Sequence, residues 1–346
     1  YMMTSVNHFE RSGSMSDSSD QLVATKSSFC APKMSRYSKI ADRWILPGII
    51  DFTRFGYWRN KKRWKKITSN LDNKHILITG ARSGLGLCAA KELAKLGAEL
   101  TLVVRKTEDI APLIDKLNKV SGNNKITAEV ADLSLIGDVK FLTDRLVRKN
   151  KKIDVLINNA GALINPRCET KENLEQSFAL LLLSPYRLTL GIKPLLNQSA
   201  QPRVINVVSG GMYTQKLSVD ELIMPAQRYS GSVAYARAKR GLMIVTETWA
   251  NAWKEDGFVV NAMHPGWADT PGVQNSLPTF RMITKRFLRT PEEGADTIVW
   301  LATASEAGRI CGKLFLDREP RSTYLLKSTI ETKEERLKLL DFLDEF

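Results

Sequence analysis

Short apolar runs alternate along residues 74–320 with longer segments whose apolar residues recur at helical spacing. The short runs are rich in Val and Ile, as buried strands are. They predict strands over residues 75–79, 100–104, 126–130, 155–157, 204–208, 259–263 and 313–316. Helices are predicted over residues 85–96, 135–149, 174–195, 233–253 and 291–302. This alternation indicates βαβ units, so the predicted fold class is α/β: a single Rossmann-type, doubly wound parallel sheet with helices on both faces and an N-terminal extension.

The rest of the chain is predicted to precede or follow this one domain in the sequence. The four predicted regions are a Ser-rich disordered extension (1–35), a basic apolar segment (36–70), the Rossmann domain (71–320) and a helical tail (321–346). In the tail, Thr332 and Glu335 have the spacing of a capping box. The predicted apolar stripe of the tail helix consists of Leu337, Leu340 and Leu343.

The positive charge of the chain is concentrated in one stretch. The formal charge of the whole chain is +14, and residues 36–66 hold ten Lys and Arg against Asp42 and Asp51, a net of +8. Large apolar residues are interleaved with these cations: Trp44, Ile45, Leu46, Ile49, Ile50, Phe52, Phe55, Tyr57, Trp58 and Trp64. Mixed aromatic and basic residues are typical of segments that contact an anionic membrane surface. The pattern also fits a segment that docks onto the predicted domain, and both interpretations stay open.

Other features narrow the class of protein. No uncharged apolar run approaches the roughly 18 residues needed to span a bilayer. The four Cys residues form no CxxC pair and the three His residues are dispersed, so we expect a reduced intracellular protein without a bound metal. The expected location is cytoplasmic or peripheral on an organelle membrane. No recognition motif accompanies the basic stretch, so nucleic acid is not an expected partner.

A glycine-rich turn joins the first predicted strand to the first predicted helix. The residues of this turn are Thr79, Gly80, Ala81, Arg82, Ser83, Gly84, Leu85 and Gly86. Glycines at such a turn let a pyrophosphate approach the backbone at the N-terminus of a helix. The TGxxxGxG spacing after a strand therefore predicts a dinucleotide-binding site.

Charge at the end of the second predicted strand indicates which dinucleotide binds. An acidic residue there hydrogen-bonds the ribose 2′-hydroxyl of NAD. This chain has Arg105 instead, with Arg82 in the glycine turn, and two guanidinium groups would pair with a 2′-phosphate. NADP(H) is therefore predicted over NAD(H). The alternative is that Arg105 is only a solvated charge at a strand end.

Candidate catalytic residues lie on a predicted helix and after a predicted strand. Tyr235 and Lys239 form YxxxK, and the i, i+4 spacing places both side chains on one helix face. A neighbouring ammonium favours the phenolate, so we expect Lys239 to lower the pKa of Tyr235 and make the phenol an acid–base catalyst. Ser209 follows a strand and could hold a carbonyl oxygen of the substrate. The sequence NNAG at residues 158–161 follows another strand, at an edge where a cofactor would lie.

These motifs, in this order, resemble the short-chain dehydrogenase/reductase family. The resemblance is carried by TGxxxGxG at 79–86, NNAG at 158–161, Ser209, YxxxK at 235–239, and Pro265-Gly266 with Thr270. It covers roughly residues 74–320. Within the family, residues 209–217, 263–273 and 294–297 look like the retinol-dehydrogenase-like branch.

The resemblance implies a role for each matching residue. Tyr235 is implied as the general acid/base, Lys239 as the residue that binds the nicotinamide ribose and tunes Tyr235, and Ser209 as the group that polarises a carbonyl. The implied cofactor-binding residues are Thr79, Gly80, Arg82, Ser83, Gly84, Leu85, Gly86, Arg105, Asp132, Leu133, Asn158, Ala160, Gly161, Tyr235, Lys239, Pro265, Gly266 and Thr270. Asp132 and Asn158 would contact the adenosine half, and Thr270 the carboxamide.

One position departs from the family pattern. The helix after NNAG usually carries an asparagine that orders a water near the lysine, and this chain has Leu181 there. A leucine side chain cannot hydrogen-bond, so two hypotheses follow. The chain is an NADPH-dependent oxidoreductase acting on an apolar carbonyl or alcohol, or it is a catalytically weak NADP(H)-binding scaffold docked on a membrane or a protein partner.

The expected wall of the substrate pocket is largely apolar. It consists of Leu163, Met212, Tyr213, Trp267 and the stretch from residue 272 to residue 287. Such a lining favours a lipid, retinoid or steroid-like carbonyl over a sugar.

Overall fold

The computed structural model describes residues 50–269, 274, 282 and 284–346 of the chain. The predicted disorder of the N-terminal extension, Trp44, Thr270 and most of the stretch from residue 272 to residue 287 therefore lie outside the described residues. All described residues belong to one compact unit, Met34–Phe346.

Within the described residues, the strands form one eight-stranded sheet in the order β3-β2-β1-β4-β5-β6-β7-β8. The strands are β1 (His75–Thr79), β2 (Glu99–Val104), β3 (Ile126–Val130), β4 (Val155–Asn158), β5 (Arg203–Val207), β6 (Val259–Met263), β7 (Leu314–Leu316) and β8 (Glu319–Arg321). All neighbouring pairs are parallel except β7 and β8, which are antiparallel. The predicted α/β fold with a doubly wound sheet is confirmed.

Helices cover both faces of this sheet. They are α1 (Arg54–Lys61), α2 (Gly84–Lys95), α3 (Ile110–Ser121), α4 (Ile136–Lys149), α5 (Gln176–Leu196), α6 (Gly231–Ala252), α7 (Pro291–Thr303) and α8 (Lys333–Asp344). Alternate residues of a strand point to opposite faces. Leu77 accordingly packs in the core beneath α4, α5 and α6, whereas Ile76 and Ile78 pack in the core beneath α2, α3 and α7.

Most predicted elements differ from the observed ones by one or two residues at their ends. Helix α3 was not predicted, although Ile110, Leu113, Ile114, Leu117 and Val120 recur along it at helical spacing. Strand β8 was not predicted because its sequence, Glu-Pro-Arg, has no apolar residue that packs like a core strand. Pairing with β7, rather than local sequence, makes it a strand.

The helical tail is present as α8. Its capping box is formed, since the Thr332 hydroxyl accepts from the Glu335 N–H and the Glu335 carboxylate accepts from the Thr332 N–H. The predicted stripe is wrong at one position. Leu337 is 61% exposed, and Leu339 is buried in its place beside Leu343.

Helix α5 is long and apolar enough to cross a membrane by length and composition. In this fold it serves as a core helix. Its middle is buried against the sheet and α6, and Arg187 and Lys193 occur along it. Helices of this kind pass the same test in soluble domains, so α5 is weak evidence for a membrane span.

Candidate functional site

The glycine turn between β1 and α2 exposes backbone at the N-terminus of a helix. Gly80 and Gly84 have φ angles of +69° and +56°, which L side chains rarely adopt. A Cβ placed on Gly86 would lie 2.3 Å from the Gly80 carbonyl oxygen. These glycines therefore fit the close approach of a pyrophosphate to the N-terminus of α2.

A cleft of about 900 Å³ runs from this turn along the carboxyl ends of the strands. The predicted cofactor-binding residues that line it are Gly80, Arg82, Ser83, Gly84, Leu85, Arg105, Asp132, Leu133, Ala160, Gly161, Tyr235, Lys239, Pro265 and Gly266. The predicted catalytic residue Ser209 lines it as well. The fold thus gathers residues that are far apart in the chain into one cleft that fits a dinucleotide.

Among the described residues, three of those predicted to bind the cofactor do not line the cleft. Gly86 packs against the turn itself. The Thr79 hydroxyl accepts hydrogen bonds from the backbone N–H groups of Asn159 and Ala160, each at 2.9 Å. Thr79 therefore holds the ends of β1 and β4 together, and Asn159, which was not among the predicted contacts, lines the cleft instead.

Asn158 is the third. Its side-chain amide is buried and donates to the Thr189 hydroxyl at 3.0 Å and to the Asn206 side-chain oxygen at 2.8 Å. The Asn158 side chain therefore points beneath the cleft and does not line it, so its contact with the adenosine half stays a prediction. An asparagine at the end of a strand does not reveal in the sequence that its side chain will join a buried hydrogen-bond network.

Basic residues surround one end of the cleft, at the ends of β1 and β2. The cleft is lined there by Arg82, Arg105 and Lys106. Lys106 was not among the residues predicted to bind the cofactor. An acidic residue also lies at this end, since Asp109 pairs with Arg82 at 3.4 Å. Both side chains of the pair are accessible to solvent, so the guanidinium can exchange this partner for a phosphate.

The three predicted catalytic residues converge at the opposite part of the cleft. Ser209 and Tyr235 both line this part of the cleft. The Lys239 ammonium donates to the Val207 carbonyl at 2.7 Å and lies 5.9 Å from the centre of the Tyr235 ring. A phenol, a hydroxyl and an ammonium are therefore brought together in one part of the cleft.

The titration of this group differs from the sequence-based expectation. Burial raises the pKa of Tyr235, and the hydrogen bond with Ser209 lowers it less. Lys239 is not among the groups that shift the pKa of Tyr235, so the expected lowering by Lys239 is not found in this structure. Burial also lowers the pKa of Lys239 to about 8, since desolvation disfavours the ammonium.

Leu181 occupies the position at which the family pattern has an asparagine. It is fully buried in a π turn (Ala179–Leu183) of α5 and lies near Gly161. Beneath Lys239 is a cavity of about 10 Å³, whose lining includes Asn158 and Ser184. No hydrogen-bonding side chain replaces the asparagine at position 181 itself.

The substrate side of the cleft is partly as predicted. Leu163 and Trp267 line it, but Met212 and Tyr213 do not. Met212 is fully buried in the core, and the Tyr213 hydroxyl donates to the Ser322 carbonyl at 2.6 Å, so both are corrections to the expected wall. The described wall also includes Gln176, Ser232 and Leu288, which no sequence motif marked.

His264, at the end of β6, is buried next to this wall. Its ring meets that of Phe52 edge-on with centres 4.7 Å apart, and its Nδ1 accepts from the Gly266 N–H at 3.3 Å. Burial, together with Arg289 and Arg321, lowers the pKa of His264 to about 3. The imidazole is therefore neutral at physiological pH.

Comparison with known proteins agrees with this geometry. Residues 74–279 match the family described as short chain dehydrogenase. The chain belongs to that family, as predicted, and is an NAD(P)-dependent oxidoreductase.

Particular relatives are similar over most of the chain. The chain is 37% identical over 320 residues to Dehydrogenase/reductase SDR family member 12 of Homo sapiens, which covers 90% of this chain and 98% of that protein. It is 30% identical to Retinol dehydrogenase 14 of Homo sapiens over 71% of this chain and 79% of that protein. L-Sorbose reductase from Gluconobacter frateurii, solved with NADPH and L-sorbose, shares the fold with a TM-score of 0.59 at 22% identity, covering 72% of this chain and 96% of that chain.

The buried His264 predicts a specific loss of stability in acid. Below its usual pKa of 6.5 the histidine binds a proton in the unfolded chain but not in the folded one, down to about pH 3. The free energy of unfolding should therefore fall by about 1.4 kcal/mol per pH unit through this group alone. Denaturant unfolding of the wild type and His264→Gln at several pH values measures it. The wild type should lose stability more steeply as pH falls, and equal slopes would contradict the prediction.

Proposed function

We propose that this protein is an NADPH-dependent oxidoreductase that transfers hydride to or from an apolar carbonyl or alcohol. The observation that carries the proposal is the convergence of Ser209, Tyr235 and Lys239 in one cleft with the glycine turn. The nearby wall formed by Leu163, Trp267 and Leu288 supports an apolar substrate.

Each residue of the trio has a distinct chemical role in this proposal. The nicotinamide cofactor supplies or accepts the hydride. The Tyr235 hydroxyl donates a proton to the carbonyl oxygen on reduction and accepts it on oxidation. The Ser209 hydroxyl donates a hydrogen bond to the same oxygen and stabilises its developing charge. The Lys239 ammonium binds the cofactor ribose, and a rotation of Nζ away from the Val207 carbonyl would bring its charge to bear on the phenol.

The proposed preference for NADP(H) rests on Arg82 and Arg105 at the other end of the cleft. They place positive charge beside the end of β2, where a ribose 2′-phosphate would lie, whereas the charge of Lys106 is offset by its pair with Glu108. Asp109 reduces this field through its pair with Arg82, which leaves Arg105 as the stronger determinant.

Replacing Arg105 by Asp should therefore weaken NADPH binding by about one to two orders of magnitude, because an attraction to the 2′-phosphate becomes a repulsion. NADH binding should change little. Fluorescence titration of both cofactors measures the two dissociation constants. Arg148→Asp on α4, at a charge that does not line the cleft, is the matched control. A wild type that binds NADH more tightly than NADPH would overturn the preference.

Replacing Tyr235 by Phe should lower turnover by roughly 10²–10⁴-fold while the dissociation constant for NADPH stays nearly unchanged, since the hydroxyl serves only proton transfer. NADPH oxidation over a panel of apolar aldehydes and ketones provides the measurement. Tyr229→Phe, which removes another partly buried hydroxyl, is the control and should keep its turnover. Full activity of Tyr235→Phe would remove Tyr235 from the mechanism.

The second candidate function, a catalytically weak NADP(H)-binding scaffold, is favoured by Leu181. Without a hydrogen-bonding side chain at this position, proton delivery to the trio is slow in this candidate. The same panel separates the candidates. NADPH binding without turnover in the wild type, with turnover gained by Leu181→Asn, would favour the scaffold over the enzyme.

We also propose that the protein lies on an anionic membrane surface through one exposed aromatic patch. The patch consists of Phe55, Trp58 and Phe287, which are 50%, 44% and 46% exposed. Their rings are in mutual contact, with the Phe55 ring centre 5.9 Å from that of Trp58 and 6.1 Å from that of Phe287. Exposed cations lie nearby in the chain: Lys61, Lys62, Arg63, Lys65, Lys66, Lys285 and Arg286. Apolar rings beside basic residues match the requirements of a lipid headgroup region.

Replacing Phe55 and Phe287 by Ser should abolish most sedimentation with vesicles that contain phosphatidylserine, because two inserted rings are lost. Phe141→Ser is the matched control, since Phe141 is 66% exposed on α4, outside the patch. Binding of the wild type should weaken as salt rises, because salt screens the attraction of the cations to the lipid. Equal sedimentation of the double variant and the control would contradict the membrane contact.

A further inference from the structure

A cluster of buried charges joins the segment before α1 to the last strands of the sheet. Asp51, Arg289 and Asp317 are each at most 1% exposed, and Arg321 is 5% exposed. The Arg289 guanidinium makes a two-pronged pair with the Asp317 carboxylate at 2.5 and 2.8 Å. The Asp51 carboxylate accepts from Arg321 at 3.0 Å and from Arg59 at 2.5 Å.

Backbone groups of the same segment complete the cluster. The Arg289 guanidinium donates to the carbonyls of Asp51 and Thr53, so its buried charge is bound from two elements at once. A buried charge is tolerated only when its hydrogen-bonding capacity is met in this way. The position of residues 51–53 is therefore set by side chains from the far edge of the sheet.

This cluster lies directly beneath the loop that follows β6. The Phe52 carbonyl accepts from the Trp267 N–H at 2.7 Å, and the Trp267 carbonyl accepts from the Arg289 N–H at 2.7 Å. Gly266 has a φ of +71°, and a Cβ there would lie 2.6 Å from Nε of Arg289 and 2.7 Å from the Phe52 carbonyl oxygen. The loop is thus enclosed between the N-terminal segment and Arg289 on the side away from the cleft.

The opposite side of this loop lines the cleft through Pro265, Gly266, Trp267 and Ala268. We infer that Asp51 and Phe52 are positioning residues for cofactor binding, because they hold this loop against the nicotinamide end of the cleft. The N-terminal segment is then a part of the oxidoreductase site, in addition to any membrane contact. The inference rests on the proposed orientation of the cofactor. The experiment below distinguishes a failure of that orientation from a failure of the inference.

The distance between the two ends of the cleft allows the orientation of the cofactor and the role of Asp51 to be tested with different ligands. The loop follows β6, whereas Arg105 follows β2, and four strand-to-strand steps separate them. At roughly 4.8 Å a step, the two ends of the cleft are about 19 Å apart. A ligand that has only the adenosine 2′-phosphate half of the cofactor therefore reaches Arg105 but not the loop.

The experiment compares two ligands on the full chain. Asp51→Asn and, as a variant that keeps the charge cluster, Phe52→Leu are titrated with NADPH and with adenosine 2′,5′-bisphosphate. We expect Asp51→Asn to bind NADPH about tenfold more weakly, the equivalent of one hydrogen bond to a charged group. Phe52→Leu keeps the backbone carbonyl bonded to Trp267 but loses the ring contacts with His264 and Trp267, so it should weaken NADPH binding less. Both variants should bind the bisphosphate as the wild type does. Asp72→Asn, an exposed carboxylate before β1, is the matched control and should change neither affinity.

Hydrogen exchange of the loop amides gives a readout that does not depend on the cofactor. The N–H groups of Trp267 and Asp269 are bonded to Phe52 and Arg289, so they should exchange at least several-fold faster in Asp51→Asn, while β1 and β4 stay protected. Unchanged exchange at the loop would overturn the inference, as would equal weakening of both ligands. A wild type that binds NADPH but not the bisphosphate would instead refute the proposed cofactor orientation and leave the exchange result to decide the role of Asp51.

Discussion

Because β1 to β6 run parallel, their carboxyl ends lie along one edge of the sheet, and the loops that leave that edge meet in one cleft. The glycine turn after β1, Asn159 after β4, Ser209 after β5 and the loop after β6 share no local sequence. They are neighbours only because successive strands pair in register. A dinucleotide is long enough to contact all of these loops, so the sheet order itself determines which residues form the binding site.

Buried charge is the second constraint on this molecule. Lys239, His264 and Arg289 all lie in the interior near the β5 and β6 ends of the cleft, where the cost of desolvating an ion is high. The structure meets that cost in three different ways. The Arg289 guanidinium pairs with Asp317, His264 remains neutral, and the pKa of Lys239 falls to about 8.

The segment at residues 50–66 packs on the domain on one side, as one of the two interpretations of its sequence predicts. Its inner side docks on the domain, since Asp51 and Tyr57 are buried and Phe52 contacts His264. Its outer side exposes Phe55 and Trp58 to solvent. Within α1, Tyr57 is buried while its neighbour Trp58 is exposed, because successive residues of a helix point in different directions around its axis. The segment therefore connects an exposed aromatic patch to the loop that lines the cleft.

The sequence by itself determined the fold class, the strands of the sheet except β8, and the family, because each rests on local signals. Apolar periodicity marks the strands, and the glycine turn and YxxxK depend on residue type at fixed spacing. Only the tertiary structure determined which side chains face the cleft and which distant residues are in contact, because local signals carry no such information. Thr79 and Asn158 belong to the predicted motifs, yet their hydrogen bonds turn them away from the cleft. Arg289 and Asp51 carry no motif and are 238 residues apart, and they became neighbours only when β6, β7 and β8 paired. A buried charge needs a partner that is close in the folded structure, and the order of residues along the chain does not show which distant residue that partner is.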